Sequence, residues 1–151
     1  MGKTTLHSSK LHWVDLSVSI VYIASVYMYG FLMSAARSTD IVEALINRGA
    51  ALNIEGHMKE TALGSAARYG HNDVVELLLA NQASGNQVNA NGETPLLLAI
   101  RYEQLTAAKL LLEAGCDMNA LDINGVSPLL RAAYAGRMPT LEFLFSSTSY
   151  R

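Results

Sequence analysis

The feature that most restricts how this chain can fold is a repeat at an interval of 33 residues, kept by several independent columns. Thr61, Thr94 and Ser127 each open a short block: Thr61-Ala62-Leu63, Thr94-Pro95-Leu96 and Ser127-Pro128-Leu129. Small or apolar pairs follow in step at Ala66-Ala67, Ala99-Ile100 and Ala132-Ala133. Next come Val74-Val75, Ala107-Ala108 and Thr140-Leu141, then Leu78-Leu79, Leu111-Leu112 and Leu144-Phe145. Asn53, Asn86 and Asn119 keep the same interval. A unit this short cannot bury its apolar side chains alone, so neighbouring units must stack to make one core.

The residue types in each block dictate its local structure. Thr or Ser ahead of Pro marks a helix start: the hydroxyl caps an orphan N–H and Pro fits the first helical position. The Ala pairs let two antiparallel helices approach closely. Apolar residues at i, i+1, i+4 and i+5, as in Val74-Val75 and Leu78-Leu79, give a broad buried helix face. Asn91-Gly92 and Asn124-Gly125 supply the positive φ that a tight turn needs. Each unit therefore reads as helix, short turn, helix, then an extended loop with a hairpin-like turn.

On these residues the chain resembles the ankyrin-repeat family. The stretch from Asn124-Gly125-Val126-Ser127-Pro128-Leu129 to Ala132-Ala133-Tyr134-Ala135-Gly136 is similar to the family's DGxTPLHxAAxxG signature, and Gly115-Cys116-Asp117-Met118-Asn119-Ala120 to its GADVNA end. The resemblance covers about residues 30–147 and implies an all-α solenoid of stacked helix-turn-helix units with hairpin-like loops. Residues 1–29 then form an apolar leader or capping helix, and 148–151 a short tail. Four units can be drawn, with those at about 59–91 and 92–124 complete. In the first, Leu32-Met33-Ser34-Ala35-Ala36 stands 31 residues before Leu63-Gly64-Ser65-Ala66-Ala67. The two missing residues fall between Ala36 and Ile41, where the helix-to-helix turn belongs. The fourth unit ends soon after Phe145, without a following hairpin.

Departures from the family pattern point to modest stability. Met33, Gly64, Leu97 and Leu130 stand where the family has a histidine that hydrogen-bonds between repeats. Gly64 lies inside an expected helix, at a cost of about 1 kcal/mol relative to Ala. Lys59 replaces a turn glycine, and Glu103 replaces the glycine seen at Gly70 and Gly136.

From Leu16 to Ala36 no side chain is charged, which is long enough for a membrane span. Its last residues, Leu32 to Ala36, fit the first repeat helix in register, and what remains is nearer to a buried helix. The expectation is a packed cap; the alternatives are a membrane anchor or uncleaved signal over 16–33, or an unstructured leader. The repeats are expected in the cytoplasm or nucleus, or facing the cytoplasm if anchored.

Composition and motifs narrow the chemistry. A net charge of −2 gives no global pull toward nucleic acid, so a protein partner is expected rather than RNA or DNA. The single cysteine, Cys116, cannot close an internal disulfide or build a thiolate zinc site. His7, His12, His57 and His71 are scattered and form no ligand pair at helical spacing. Gly2-Lys3-Thr4 imitates the end of a phosphate-binding loop without the residues that should precede it. No nucleophile elbow appears. The expectation is a monomeric, non-enzymatic binding module without cofactor or metal.

Partners of the family usually dock on the loop tips and the exposed face of the first helix. Carried over, this selects Met58, Glu60, Asn91, Glu93, Ile123 and Val126 at the tips, with Arg68, Tyr69, Arg101, Tyr102, Arg131 and Tyr134 on the helices. Arg68-Tyr69 and Arg101-Tyr102 recur 33 apart, and Arg and Tyr are favoured anchors at protein interfaces. Tyr69 and Tyr102 are expected to anchor a partner while Arg68 and Arg101 pair its carboxylates. An alternative makes the chain a substrate: Asn53, Asn86 and Asn119 resemble ankyrin asparagines hydroxylated by an iron-dependent asparaginyl oxygenase.

Overall fold

Three helix pairs and one longer helix make up the computed structural model, which describes residues 35–148. The leader at 1–29, the alternative anchor at 16–33, residues 30–34 and the end of the tail at 149–151 lie outside the described residues. Along the chain run α1 (Ala35–Asn47), α2 (Ala62–Tyr69), α3 (Asn72–Ala80), α4 (Pro95–Arg101), α5 (Leu105–Glu113), α6 (Pro128–Tyr134) and α7 (Met138–Thr148). Among the described residues there is no strand.

Helix starts follow from the capping residues. The Thr61, Thr94 and Ser127 hydroxyls accept from the N–H of Gly64 (3.1 Å), Leu97 (3.2 Å) and Leu130 (3.2 Å). Pro95 and Pro128 occupy the first turn of their helices. The pairs α2–α3, α4–α5 and α6–α7 turn at Gly70, Glu103 and Gly136, all in the left-handed region.

The first unit differs from its expected form. No turn separates two helices between Ala36 and Ile41; α1 runs unbroken from Ala35 to Asn47. Four residues, Arg37 to Asp40, stand there in place of six, and none is glycine. The backbone continues its helical hydrogen bonding where it has neither the length nor the left-handed residue to reverse. The second half of α1 still serves as an outer helix, burying Val42 and packing Leu45 and Ile46 against the core.

Burial follows position in the stack. Six successive residues are buried in α2 (Ala62–Ala67) and in α4 (Pro95–Ile100), and α4 packs between α2 and α6. The outer helices bury one face each, Val74, Val75 and Leu78 in α3, Ala107, Ala108 and Leu111 in α5. In α6 only Pro128 and Ala132 are buried, and Leu129, Leu130 and Tyr134 are exposed.

Repeats are tied together by polar contacts that recur with the period. The Ala90 N–H donates to the Met58 carbonyl (2.8 Å), and one repeat later Ile123 N–H donates to the Asn91 carbonyl (3.0 Å). Asn53 Oδ1 accepts from Ser84 N–H (2.8 Å) and Asn86 Oδ1 from Asp117 N–H (2.9 Å). The asparagine column is therefore a bracket between repeats.

Close packing accompanies these bonds at Gly85. A β-carbon there would lie 2.2 Å from the Cys116 sulfur but 3.7 Å from its β-carbon. Gly85→Ala is expected to cost about 2 kcal/mol by overpacking. In a Cys116→Ala background the same change should cost little, since the obstructing atom is gone. Urea unfolding of the four-protein cycle measures the coupling; equal costs in both backgrounds would show that the sulfur is not the obstacle.

Candidate functional site

The loop between units sets up the surface beside it through one bracket. Asn89 Oδ1 accepts from the N–H of Asn91 (2.9 Å) and Glu93 (3.0 Å). Asp122, in the same column of the next repeat, accepts from Asn124 (2.8 Å) and Val126 (3.0 Å). Gly56 occupies this column in the loop before α2 and has no side chain to offer. There Met58 and Lys59 both turn into the left-handed region. In the two equivalent loops only the glycines of the Asn-Gly pairs, Gly92 and Gly125, do so.

All three loops, bracketed or not, also present a carboxylate to an arginine. Arg68 Nη1 lies 3.0 Å from Glu60 Oε2, and Arg101 Nη1 2.6 Å from Glu93 Oε1. Arg131 pairs with Asp122. The guanidiniums expected to receive a partner's carboxylates thus already hold one from their own chain. Their exposure is uneven: the Arg101 side chain is 42% exposed and Glu93 beneath it 2%. A buried acid under an exposed cation leaves the cation as the outermost charge.

Between Arg68 and Arg101 sits Tyr102. Arg68 Nη2 donates to the Tyr102 hydroxyl oxygen at 2.9 Å. The two guanidinium carbons lie 4.9 and 5.7 Å from its ring centroid, both in cation–π range. Burial works against the charge on Arg68, but the Tyr102 hydroxyl and the Glu60 carboxylate outweigh it and hold its pKa above the ordinary value. The Arg101 pKa is raised by its hydrogen bond to Glu93 and by that carboxylate's charge.

Asp122 is the acid that the spacing did not mark. Burial opposes its ionisation, but the Val126 and Asn124 N–H groups and the Arg131 guanidinium win, and its carboxyl is held below the ordinary value. That stabilisation is present in full above the ordinary carboxyl pKa of about 3.9 and is lost as pH falls through the lowered folded-state value. Burial alone pushes the Cys116 thiol up, away from a reactive thiolate.

The expected residues separate into groups. Met58, Asn91 and Ile123 come together at the tips through the inter-repeat backbone bonds, and Ile123 is 72% exposed. Glu93 is buried, while Glu60 and Val126 are half-buried. Tyr69 is half-buried and packs against the core, so part of its role is structural. Tyr134 stands in the Arg68 and Arg101 column, 33 residues on, and is 75% exposed. Asn53, Asn86 and Asn119 are all exposed in loops. Glu103, at the α4–α5 turn, pairs with Arg137 at 2.5 Å.

Among the described residues no His, Cys, Asp and Glu group is arranged to hold a metal ion. No helix among them is long and apolar enough to cross a membrane. Comparison with curated proteins finds no match. The family model for ankyrin repeats, in three copies, matches residues 31–122 and again 82–150. Stacked helix pairs with capped starts, loop tips joined by backbone bonds and a family match over most of the length agree: the chain belongs to the ankyrin-repeat family.

Proposed function

We propose that this chain binds a protein partner along the exposed edge of α2, α4 and α6 and across the loop tips beside it. Ankyrin repeats are generally protein-interaction modules and typically lack enzymatic activity. The observation that carries the reading is the Arg68–Tyr102–Arg101 cluster, which holds two cations and an aromatic ring in fixed positions at the surface. Tyr134 continues it on α6 and Met58, Asn91 and Ile123 flank it at the tips. Internal carboxylates orient the guanidiniums before any partner arrives, which reduces the entropy lost on docking.

Tyr102 and Tyr134 are the anchors to test, since both are exposed and Tyr69 supports the core. Alanine at both should weaken partner binding by about 2 kcal/mol or more. The comparison is quantitative affinity capture by wild type and by a double variant shown to be folded by circular dichroism. Partners retained equally by both proteins would overturn the placement of the surface.

A further inference from the structure

The column formed by Arg68, Arg101 and Tyr134 runs across three successive inner helices, α2, α4 and α6. Two features of it go beyond a general binding face. Its first two members are cations less buried than their own acids: Arg68 is 21% exposed against 14% for Glu60, and Arg101 42% against 2% for Glu93. Its third member, Tyr134, is an exposed ring, and the loop residue in the Glu60 and Glu93 column is there the apolar Val126. The row thus changes from cationic to aromatic along the stack.

Spacing sets the shape of what fits. Packed helices sit about 8–10 Å apart, and a chain extended as polyproline II rises about 3.1 Å per residue and returns every third side chain to the same face, so about three residues span one repeat. Each guanidinium is a planar fork held in one orientation by its carboxylate and by Tyr102. Such a group suits a carboxylate.

Resting on the interaction reading above, we infer that this row takes an extended acidic segment of a protein partner. The segment carries two carboxylates three residues apart, at Arg68 and Arg101, and an aromatic or aliphatic side chain three residues further on, at Tyr134. Nucleic acid would place phosphates on the same cations and stack a base on Tyr134, but the net charge of −2 gives no general pull toward a polyanion, and a short acidic segment needs none.

The test uses the full chain and labelled synthetic peptides, read by fluorescence anisotropy. The probe carries glutamates at its first and fourth positions and phenylalanine at the seventh in a Gly/Ser background; its reversed sequence is measured as well. In one chain direction the probe should bind about tenfold tighter than a version with lysines for the glutamates, and tighter than one with the glutamates two apart. Added salt should weaken it. Arg101→Gln and Tyr134→Ala should each weaken it by about fivefold or more, while Lys109→Ala on α5 should leave it unchanged. Equal binding of glutamate and lysine peptides, indifference to the glutamate spacing, or tighter binding of oligothymidine would overturn the inference. The peptide series on wild type decides this even if a variant misfolds. If the series fails while the Tyr102/Tyr134 variant still loses its captured partners, the acidic-segment inference falls and the binding surface stands.

Discussion

Gly92→Ala destabilises the stack by about 3 kcal/mol, whereas Gly125→Ala costs about 1 kcal/mol. Both glycines close an equivalent loop tip in the left-handed region, at φ of 70° and 74°. Alanine meets the same conformational penalty at each, about 1 kcal/mol. Their surroundings differ. A β-carbon on Gly92 would lie 2.7 Å from the Ile123 backbone nitrogen, the group that donates to the Asn91 carbonyl, whereas one on Gly125 would meet nothing within 4 Å. A backbone neighbour cannot rotate away as a side chain can. The next tip must move, and the bond between repeats goes with it. Urea unfolding of the two single variants measures the difference directly. Equal losses would mean that contact between tips contributes nothing to holding the repeats in register.

The second large effect has the opposite sign. Three non-glycine residues hold left-handed backbone where a repeat neighbour uses glycine: Lys59 (φ 56°) opposite Gly92 and Gly125, Gln82 (φ 64°) opposite Gly49 and Gly115, and Glu103 (φ 61°) opposite Gly70 and Gly136. A side chain there costs about 1–2 kcal/mol. Glycine returns about 0.5–1 kcal/mol of that through the greater freedom of its unfolded chain. The net gain is about 0.5–1 kcal/mol per site, except at Glu103, where losing the exposed pair with Arg137 removes most of it. The Lys59→Gly/Gln82→Gly/Glu103→Gly variant should therefore gain about 1–2 kcal/mol, raising the melting temperature by about 3–8 °C. Lys59→Gly and Gln82→Gly should contribute most of it. A melting temperature at or below that of the wild type would show that these backbone angles carry no strain.

Much of this was legible in the residues. The columns at Thr61, Thr94 and Ser127 marked three helix starts, and all three hydroxyls cap as expected. Lys59 and Glu103 stood out as occupants of glycine positions, and Gln82 was equally readable from Gly49 and Gly115. The pairing of Glu60 with Arg68 and of Glu93 with Arg101 also repeats at the same spacing, eight residues. Asp122 with Arg131 does the same work at nine, in a different column, and periodicity gives no sign of it. The unbroken α1 was hidden for a related reason. The sequence shows two residues missing, but whether a shortened turn survives depends on the backbone bonds available there.

By itself the sequence determined the stacked helical repeat, because local rules suffice: capping hydroxyls, a helical spacing of apolar residues and glycine at left-handed turns act within one unit. The tertiary structure alone decided which groups meet between units. It turned Asn53 and Asn86 into brackets and closed Tyr102 between its own unit's guanidinium and that of the unit before. Those pairings join residues about one repeat apart. They depend on how two surfaces fit, which no single repeat encodes.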